Sequence, residues 1–330
     1  MKLYRIENKG IKIDISPIGA SIVNFFVHDK HGVERNIVLG YDSSEKYKNN
    51  GTYFGAVVGP IANRVANGEF MLDGRKRKLT QNDGTNHLHG GDANLNSRTW
   101  EVLDRTDKGI LLSVRVARRE GGYPVDIVIS VAYFLSDNGA LSIRYTATPA
   151  GRCPLNITQH AYFNLNGSGD ILDHELWINA DSILAVDDKL IPTGQLSVRG
   201  NPFDFTSPRQ IGEAMSTIPF HSQLEIANGG YDHCYVLNRD AMEQESMRVT
   251  SPKTGISLHV QTDLPGVQFY SGNFLNSEAG RQGETYNKHA GLCLETQHFP
   301  NQVNTNGSER CIYDVQRPFI STTTYRVEVK

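Results

Sequence analysis

Residues 127–145, IVISVAYFLSDNGALSIRY, contain the strongest secondary-structure signal in the chain. Ile127 to Leu135 is rich in β-branched and aromatic residues and lacks helix caps, which predicts a fully buried strand. Leu141 to Tyr145 alternates apolar with polar residues, as a half-buried strand does. Asn138-Gly139 between the two runs is a strong short-range hairpin signal. The segment therefore predicts two antiparallel strands joined by a tight turn.

Alternation of the same kind recurs from end to end of the chain. Further strand-like runs are Lys12 to Ile15, Leu111 to Val116 and Tyr325 to Val329, and further turn signals are Asp73-Gly74, Lys108-Gly109 and Thr254-Gly255. Only Ser43 to Asn49 and Ala241 to Arg248 have the composition of short helices. Because no repeat or linker divides the chain, we expect an all-β fold: one large antiparallel β-sandwich domain over residues 1–330.

Composition excludes several classes of protein. The 330 residues include 33 Lys and Arg and 36 Asp and Glu, a net charge of −3, so there is no electrostatic footprint for a nucleic-acid partner. The four cysteines form no CxxC pair, which favours free thiols over disulfides or a zinc cage. The amino terminus has no apolar run typical of a signal peptide, and no segment is long enough for a membrane helix. We therefore expect a cytoplasmic protein without a membrane partner.

Cofactor motifs are absent from the sequence. There is no GxxxxGK[ST] loop, no GxGxxG between a strand and a helix, and no HExxH. His87 and His89 have the spacing that places two imidazoles on one strand face, as in cupin-type metal sites. Such a site needs a carboxylate a few residues later, and none with suitable spacing follows. Gly90-Gly91 instead predicts a close turn that presents His89 to a cleft.

Four residues are candidates for chemistry or binding because of their flanks. Glu295 follows the apolar run Gly291 to Leu294, so it is either a structural ion-pair partner or a general base with a raised pKa. Asp232 has a similar setting and the same two interpretations. His160 is either a core histidine with a satisfied hydrogen bond or part of a polar site, and the clustered amides around it favour the site. Arg64, among small and apolar residues, either binds a polar ligand or pairs with an acid.

Together these side chains suit an uncharged, polyhydroxylated ligand, and the segments that carry them resemble one family. The sequence is similar to aldose 1-epimerases, the galactose mutarotases. The resemblance rests on ordered pieces along almost the whole chain. They are Ile18-Gly19-Ala20, Val38 to Tyr41, Ala62-Asn63-Arg64, Asn86 to Gly91, Glu120 to Pro124, Asn156 to Leu165, Ile191 to Gly194, Pro202 to Phe205, Tyr231 to His233, Pro265 to Leu275 and Leu294 to Pro300.

The resemblance implies a galactose mutarotase-like supersandwich that interconverts the α and β anomers of a free aldose, galactose or glucose, without metal or other cofactor. Glu295 then corresponds to the general base at the anomeric hydroxyl, His160 to the general acid at the ring oxygen, and His89 to a second histidine beside that oxygen. The implied substrate-binding residues are Asn63, Arg64, Tyr162, Asp232 and Gln268. The implied oligomeric state is a monomer or homodimer.

Two departures from the family pattern leave the sugar preference open. Gly59-Pro60 replaces a Gly-Arg pair, and Asp92 to Ser97 replaces a segment that begins Gly-Phe. Both belong to the cleft rim in the family. Two other functions also stay open: a glycosidase that uses Asp232 and Glu295 as its carboxylate pair, and a non-catalytic sugar-binding relative. The latter usually lacks the base or the acid, and this chain has both.

Overall fold

The predicted hairpin is present in the computed structural model, which describes residues 1–217, 220–238 and 244–330. Strands β12 (Ile127–Leu135) and β13 (Ala140–Pro149) pair antiparallel from Ile127↔Pro149 to Leu135↔Leu141. The prediction that β12 is fully buried is wrong, because burial alternates along it and Val128 is 50% exposed. The strand has apolar side chains on both faces, although only one face packs on the core.

This hairpin lies within a nine-stranded antiparallel sheet. From one edge to the other its strands are β10 (Glu101–Arg105), β11 (Gly109–Val116), β12, β13, β29 (Phe319–Val329), β23 (Ile256–Thr262), β22 (Met247–Thr250), β17 (Glu175–Ile178) and β20 (Arg209–Gln210). The turns at Lys108-Gly109 and Thr254-Gly255 connect antiparallel neighbours, as the sequence predicts.

A six-stranded antiparallel sheet carries much of the candidate site. In spatial order its strands are β16 (Tyr162–Phe163), β27 (Leu292–Gln297), β24 (Gly266–Tyr270), β21 (Asp232–Leu237), β18 (Ala180–Val186) and β19 (Pro192–Ser197). A four-stranded sheet follows chain order: β1 (Tyr4–Asn8), β2 (Ile11–Ser16), β3 (Ser21–His28) and β4 (Glu34–Asn36).

The remaining described strands pair two by two. They are β5 (Ala56–Val58) with β15 (Thr158–His160), β6 (Arg64–Val65) with β9 (His87–Leu88), β7 (Glu69–Leu72) with β8 (Arg75–Lys78), β14 (Cys153–Pro154) with β28 (Ile312–Tyr313), and β25 (Glu278–Ala279) with β26 (Thr285–Tyr286).

Helices are few and short in the described residues: α1 (Ser44–Lys48), α2 (Ile211–Met215), α3 (Ser222–Ile226) and some 3-10 turns. The prediction of a helix within Ser43 to Asn49 is confirmed, and Ser43 Oγ accepts the Lys46 N–H as its cap. The predicted helix Ala241 to Arg248 is wrong at Met247 and Arg248, which belong to β22. Residues 241–243 lie outside the described residues. None of the helices that the structure describes is long and apolar enough to cross a bilayer.

The two largest sheets contribute to one continuous apolar core. Ile129 and Tyr145 of the nine-stranded sheet belong to the same buried cluster as Val267 and Leu294 of the six-stranded sheet, and each such side chain stabilises the fold by about 1.5–3 kcal/mol. The prediction of an all-β antiparallel sandwich is therefore confirmed. The four cysteines are free, as the sequence predicts, and all four are buried.

Candidate active site

Strand periodicity places Glu295 on the face of β27 that points away from the main core. Leu292 and Leu294 belong to that core, whereas Cys293, one residue out of phase, belongs to a separate aromatic cluster. Glu295 therefore shares the Cys293 face and is only 2% exposed. Its Oε2 is buried and has no hydrogen-bond partner among the described residues.

The neighbouring strands place two more predicted residues beside Glu295. Gln268 on β24 lies directly opposite Glu295 in the strand register. Its Nε2 donates to Asp232 Oδ1 over 2.7 Å, and its own Oε1 is buried without a partner in the described part of the chain. Asp232 begins the next strand, β21. Three polar side chains thus follow one another across the sheet.

The predicted acid reaches the same place from a different segment. His160 ends β15, which pairs with β5, and its Nε2 lies 3.5 Å from Glu295 Oε1. Tyr162, two residues on, packs its ring 5.1 Å from the imidazole. His160 is 4% exposed, so the carboxylate and the imidazole meet in a nearly dry environment.

Strands β6 and β9 bring in the remaining candidates. Arg64 pairs with Leu88 in this ladder, and His89 follows with a φ of +49°. The Asn63 N–H donates to His89 Nδ1 over 3.2 Å, and Asn63 Oδ1 accepts the Arg64 N–H over 2.8 Å. The imidazole rings of His89 and His160 lie 5.4 Å apart, edge to face.

These side chains surround an open cleft of about 270 Å³, which suits a single monosaccharide. The cleft is lined by Gly51, Thr52, Tyr53, Asn63, Arg64, Leu88, His89, Tyr162, Asp232, Tyr270, Phe274, Leu275 and Glu295. His160 and Gln268 are not part of this lining, but His160 contacts Glu295 and Gln268 contacts Asp232, which are. The structure therefore brings together all eight residues singled out in the sequence.

Burial sets the protonation of the two central groups. It raises the pKa of Glu295 well above its usual value, with a further increase from the Asp232 charge that Arg64 opposes. It also lowers the pKa of His160 to about 4. Burial likewise raises the pKa of Asp232, against the effect of Arg64. Both shifts favour the neutral forms of the two groups over an ion pair.

Hydrogen bonds fix the tautomer of His89. Its Nδ1 accepts from a backbone N–H, so in the neutral ring the hydrogen is on Nε2. For His160, the Cys293 Sγ lies 3.5 Å from Nδ1. Burial raises the pKa of that thiol far above neutrality, so it stays protonated and can donate to Nδ1. Both imidazoles then present Nε2 to the cleft.

One group of side chains in the described residues has the composition of a metal site. His89, His160 and Glu295 each have a ligand atom within 4.8 Å of the others. A metal-ligating histidine normally donates from its other ring nitrogen, whereas His89 accepts there and keeps its hydrogen on Nε2. The cluster is therefore better suited to hydrogen bonding than to holding a metal ion.

The suggestion that His87 and His89 share a strand face is wrong. His87 is fully buried, with Nδ1 2.7 Å from the Thr80 carbonyl oxygen and Nε2 3.1 Å from the Tyr123 hydroxyl. The ladder ends at Leu88, and the left-handed backbone at His89 turns the second ring into the cleft. Gly90 continues the turn at a φ of +96°, as the glycine pair predicts.

The two departures from the family pattern do not lie at the cleft. Pro60 is buried, and its carbonyl accepts the Asn156 N–H over 2.8 Å. Ala93 and Leu95 are fully buried in the main core, and neither Pro60 nor any residue of Asp92 to Ser97 belongs to the lining. Neither departure therefore contributes to the lining of the cleft, and the sugar preference is left to the substrate assay.

The sequence alone did not identify Tyr53, Asp83 and Cys293. The Tyr53 ring packs 4.7 Å from His89 and 5.4 Å from His160. Asp83 Oδ2 accepts from Arg64 Nε over 2.8 Å. The sequence offers one weak signal for each. Tyr53 is an aromatic residue between Gly51 and Gly55, Asp83 lies in a turn before Asn86, and Cys293 alternates with Glu295.

The comparisons with known proteins agree with this geometry. The sequence model described as aldose 1-epimerase matches residues 2–326. The galactose mutarotase of Sus scrofa is 40% identical over 307 residues, which cover 91% of this chain and 86% of that protein. The aldose 1-epimerase of Escherichia coli K12 is 34% identical over 301 residues, 90% of this chain and 86% of that protein.

Solved structures show the same fold. An aldose epimerase homologue from C. elegans matches with a TM-score of 0.92 and 29% identity over 99% of both chains. A galactose 1-epimerase from Lactobacillus acidophilus matches with a TM-score of 0.87 and 26% identity, covering 98% of this chain and 93% of that one.

Proposed function

This chain belongs to the aldose 1-epimerase family, and we propose that its cleft interconverts the α and β anomers of a free aldose, galactose or glucose, by acid–base ring opening and closure. One observation carries the assignment of roles: the buried His160 Nε2 lies 3.5 Å from Glu295 Oε1, and Glu295 lines an open, sugar-sized cleft. Anomerisation removes a proton from one oxygen while another oxygen gains one, so it needs such an adjacent base and acid.

The reaction consists of two proton transfers, one from the C1 hydroxyl to Glu295 and one from His160 to the ring oxygen. Glu295 acts as the carboxylate and His160 as the imidazolium, whose Nδ1–H then donates to Cys293 Sγ. Glu295 takes the proton of the C1 hydroxyl, and His160 gives its Nε2 proton to the ring oxygen. The C1–O5 bond breaks and an aldehyde forms. Rotation about C1–C2 exposes the other face of the aldehyde, and the same transfers in reverse close the ring as the other anomer.

The buried setting favours ring opening. The step converts an ion pair into a neutral acid and a neutral imidazole, which is the state that desolvation stabilises by raising the pKa of Glu295 and lowering that of His160. Arg64 opposes this by stabilising the carboxylate. Desolvation and Arg64 thus shift the pKa of Glu295 in opposite directions, and a reversible acid–base reaction uses both protonation states of the pair.

The other predicted residues bind and orient the sugar. Glu295 Oε2 and Gln268 Oε1 are buried acceptors without partners among the described side chains, and sugar hydroxyls are the donors that suit them. His89 offers Nε2–H beside the ring oxygen. Asn63 holds both His89 and Arg64 through hydrogen bonds. Tyr162 supports the His160 ring, and Arg64 and Asp232 contact further hydroxyls.

The two alternative functions fit less well. Asp232 and Glu295 extend from one sheet on either side of β24, and Asp232 is already engaged by Gln268 and Arg64. A glycosidase pair instead flanks the scissile bond. A non-catalytic sugar-binding protein has no need of a desolvated acid–base contact.

We also propose that the chain works as a single domain in the cytoplasm, as a monomer or homodimer and without a nucleic-acid or membrane partner. The cleft draws its lining from Gly51 to Glu295, which supports one cooperative unit. Free, buried cysteines suit a reducing compartment.

Polarimetry of freshly dissolved α-D-galactose tests the activity. We expect saturable acceleration of mutarotation, and the same assay with glucose, xylose, arabinose and maltose ranks the sugars. Nitrophenyl galactosides are the control, and we expect no release of nitrophenol. Sugar binding without acceleration would support the binding protein, and nitrophenol release would support the glycosidase.

A further inference from the structure

Tyr53 packs against both imidazoles that face the cleft. Its ring centroid lies 4.7 Å from that of His89 and 5.4 Å from that of His160. The two imidazoles are themselves 5.4 Å apart, so the three rings form one cluster at the wall of the cleft, which Tyr53 also lines. The proton transfers described above do not use this tyrosine.

The backbone of Tyr53 has a conformation that aromatic residues seldom adopt. Its φ is +61°, in the left-handed region, where a bulky side chain is strained. Such a conformation persists only when the surrounding structure imposes it, and positions of this kind cluster at functional sites. The contacts of the turn therefore determine where the ring lies.

The turn of residues 50–55 is fixed by hydrogen bonds at both ends. Asn50 Oδ1 accepts the Phe54 N–H over 2.9 Å, and Asn50 Nδ2 donates to the Phe54 carbonyl over 3.0 Å. At the other end, the Gly55 N–H donates to the backbone carbonyl of His160 over 3.1 Å. The turn is therefore bonded to the same residue whose ring the tyrosine contacts.

The segment Asp92 to Ser97, where the chain departs from the family pattern, supports this turn. Asn96 is 6% exposed, and its Nδ2 donates to the Asn50 carbonyl over 3.0 Å. The same carbonyl accepts the Tyr53 N–H over 3.3 Å. Asn96 does not line the cleft, but it shares a hydrogen-bond acceptor with the backbone of the tyrosine that does.

We propose that Tyr53 is a positioning residue that holds the imidazoles of His160 and His89 with Nε2 toward the cleft, and that Asn96 holds Tyr53 in place. The inference rests on the proposed function and adds two residues to it. Rotation of either imidazole would move Nε2 away from the sugar ring oxygen, and a displacement of about 1 Å can lower a rate about 10²-fold. The tyrosine ring opposes this rotation through its contacts with both imidazoles, and its hydroxyl has no part in it.

Substitutions at Tyr53 separate the ring from the hydroxyl. Tyr53→Leu removes the ring, and we expect polarimetry of α-D-galactose to give a kcat about 10- to 100-fold below the wild-type value, with KM unchanged. Tyr53→Phe keeps the ring and should have the kcat of wild type. Tyr53→Asn is a second variant without the ring, in which the new residue adopts the left-handed backbone more readily. Circular dichroism checks that each variant is folded.

Asn96→Ala tests the second residue, alone and combined with Tyr53→Leu. Alone, it removes the donor to the Asn50 carbonyl, and we expect kcat to fall about two- to tenfold. In the Tyr53→Leu background it should lower kcat no further, because Asn96 acts through the tyrosine. Asn94→Ala is the matched control from the same segment, since Asn94 Nδ2 donates to the Gly91 carbonyl instead, and it leaves kcat unchanged.

Each result decides one point. Wild-type kcat in Tyr53→Leu and Tyr53→Asn, an equal loss in Tyr53→Phe, or a loss confined to KM overturns the positioning role of the ring. An effect of Asn96→Ala that is absent, or that adds fully to that of Tyr53→Leu, overturns the role of Asn96. Failure of the wild-type protein to accelerate galactose mutarotation is a separate outcome that contradicts the proposed function itself.

Discussion

Replacing Glu295 by glutamine removes the proposed base with almost no change in shape. The amide keeps an oxygen that can accept a hydrogen bond, but it cannot take up the proton of the anomeric hydroxyl. If Glu295 is instead an ion-pair partner that holds the fold together, its replacement lowers the stability of the protein. If it is the base, its replacement lowers activity without lowering stability. Activity and stability measured on one variant therefore distinguish the two.

The expected loss of activity is large. General-base catalysis contributes about 10²–10⁴-fold, so kcat falls by that factor, which corresponds to about 3–5 kcal/mol in the barrier. The imidazole of His160 contacts Glu295, and the other described groups that act on its charge are Asp232 and Arg64. Arg64 is already held by Asp83, and Asp232 by Gln268. Among the residues that the structure describes, no second base is placed to replace Glu295.

The expected change in stability is a gain. Glutamine leaves a polar atom at the buried position of Glu295 Oε2, but it carries no charge, so the variant avoids the desolvation of a carboxylate, which we expect to be worth about 1–3 kcal/mol. For a chain of this length, 1–3 kcal/mol raises Tm by about 1–4 °C. The folded carboxyl keeps its proton at a pH where the unfolded one has lost it, since burial raises its pKa. Wild-type stability therefore falls as pH rises above about 4.3, and the advantage of the variant grows over the same range.

Two measurements on Glu295→Gln check this prediction. Polarimetry of α-D-galactose gives kcat, and thermal unfolding monitored by circular dichroism at pH 4 and pH 8 gives the stability difference. We expect mutarotation near the spontaneous rate together with a Tm equal to or above that of wild type at pH 8. A variant that keeps most of its activity, or that loses activity because its Tm falls by several degrees, contradicts the assignment of Glu295 as the base.

Three further predictions follow from the contacts around the site. His160→Gln lowers kcat by about 10²–10⁴-fold with galactose affinity retained in titration calorimetry; near-normal polarimetric rates contradict its role as the acid. Cys293→Ser keeps a hydroxyl beside the imidazole, so its kcat should stay within about tenfold of the wild-type value. Cys293→Ala lacks that group, so its kcat should fall further while its Tm is unchanged. Equal kcat values for the two variants exclude a positioning role for the thiol. Burial lowers the pKa of His87, His160 and His298 to about 4, so each costs about 2 kcal/mol of stability when pH falls from 6.5 to 5; a urea midpoint that is the same at pH 7 and pH 5 contradicts this.

Local periodicity was enough to predict much of the fold. The hairpin of β12 and β13, the turns after Lys108 and Thr254, and the helix after Ser43 depend on neighbouring residues, and they were predicted correctly. The burial of β12 depends on what packs on its outer face. Val128 and the other apolar residues of that face carry no local sign that they stay in contact with water.

In the candidate site, too, local sequence identifies single residues, whereas their arrangement depends on tertiary structure. Glu295, His160, Arg64 and Asp232 could be singled out because each is a polar residue in an apolar stretch. That they converge depends on the register between β24 and β27 and on the short β15–β5 ladder, which join distant parts of the chain. The resemblance to the family supplied this convergence where periodicity could not.

The missed residues depend on tertiary geometry alone. Asp83 reaches Arg64 only because Asn82 holds its turn against Leu88. The H-x-H spacing misled because the prediction assumed that the strand continues through His89, where the backbone is in fact left-handed. Tyr53 is in the same conformation at a φ of +61°, and such positions are not predictable from residue type when the residue is not glycine.

The central claim is that the cleft exchanges the anomers of a free sugar and leaves glycosides intact. Magnetisation-exchange NMR at anomeric equilibrium tests this directly, because it measures the rate at which the α and β H1 signals of D-galactose interconvert. We predict that the wild-type protein increases this exchange in proportion to its concentration, while methyl α-D-galactoside, whose anomeric oxygen has no proton to give, stays unchanged. Exchange at the spontaneous rate, or conversion of the methyl galactoside, would contradict the account.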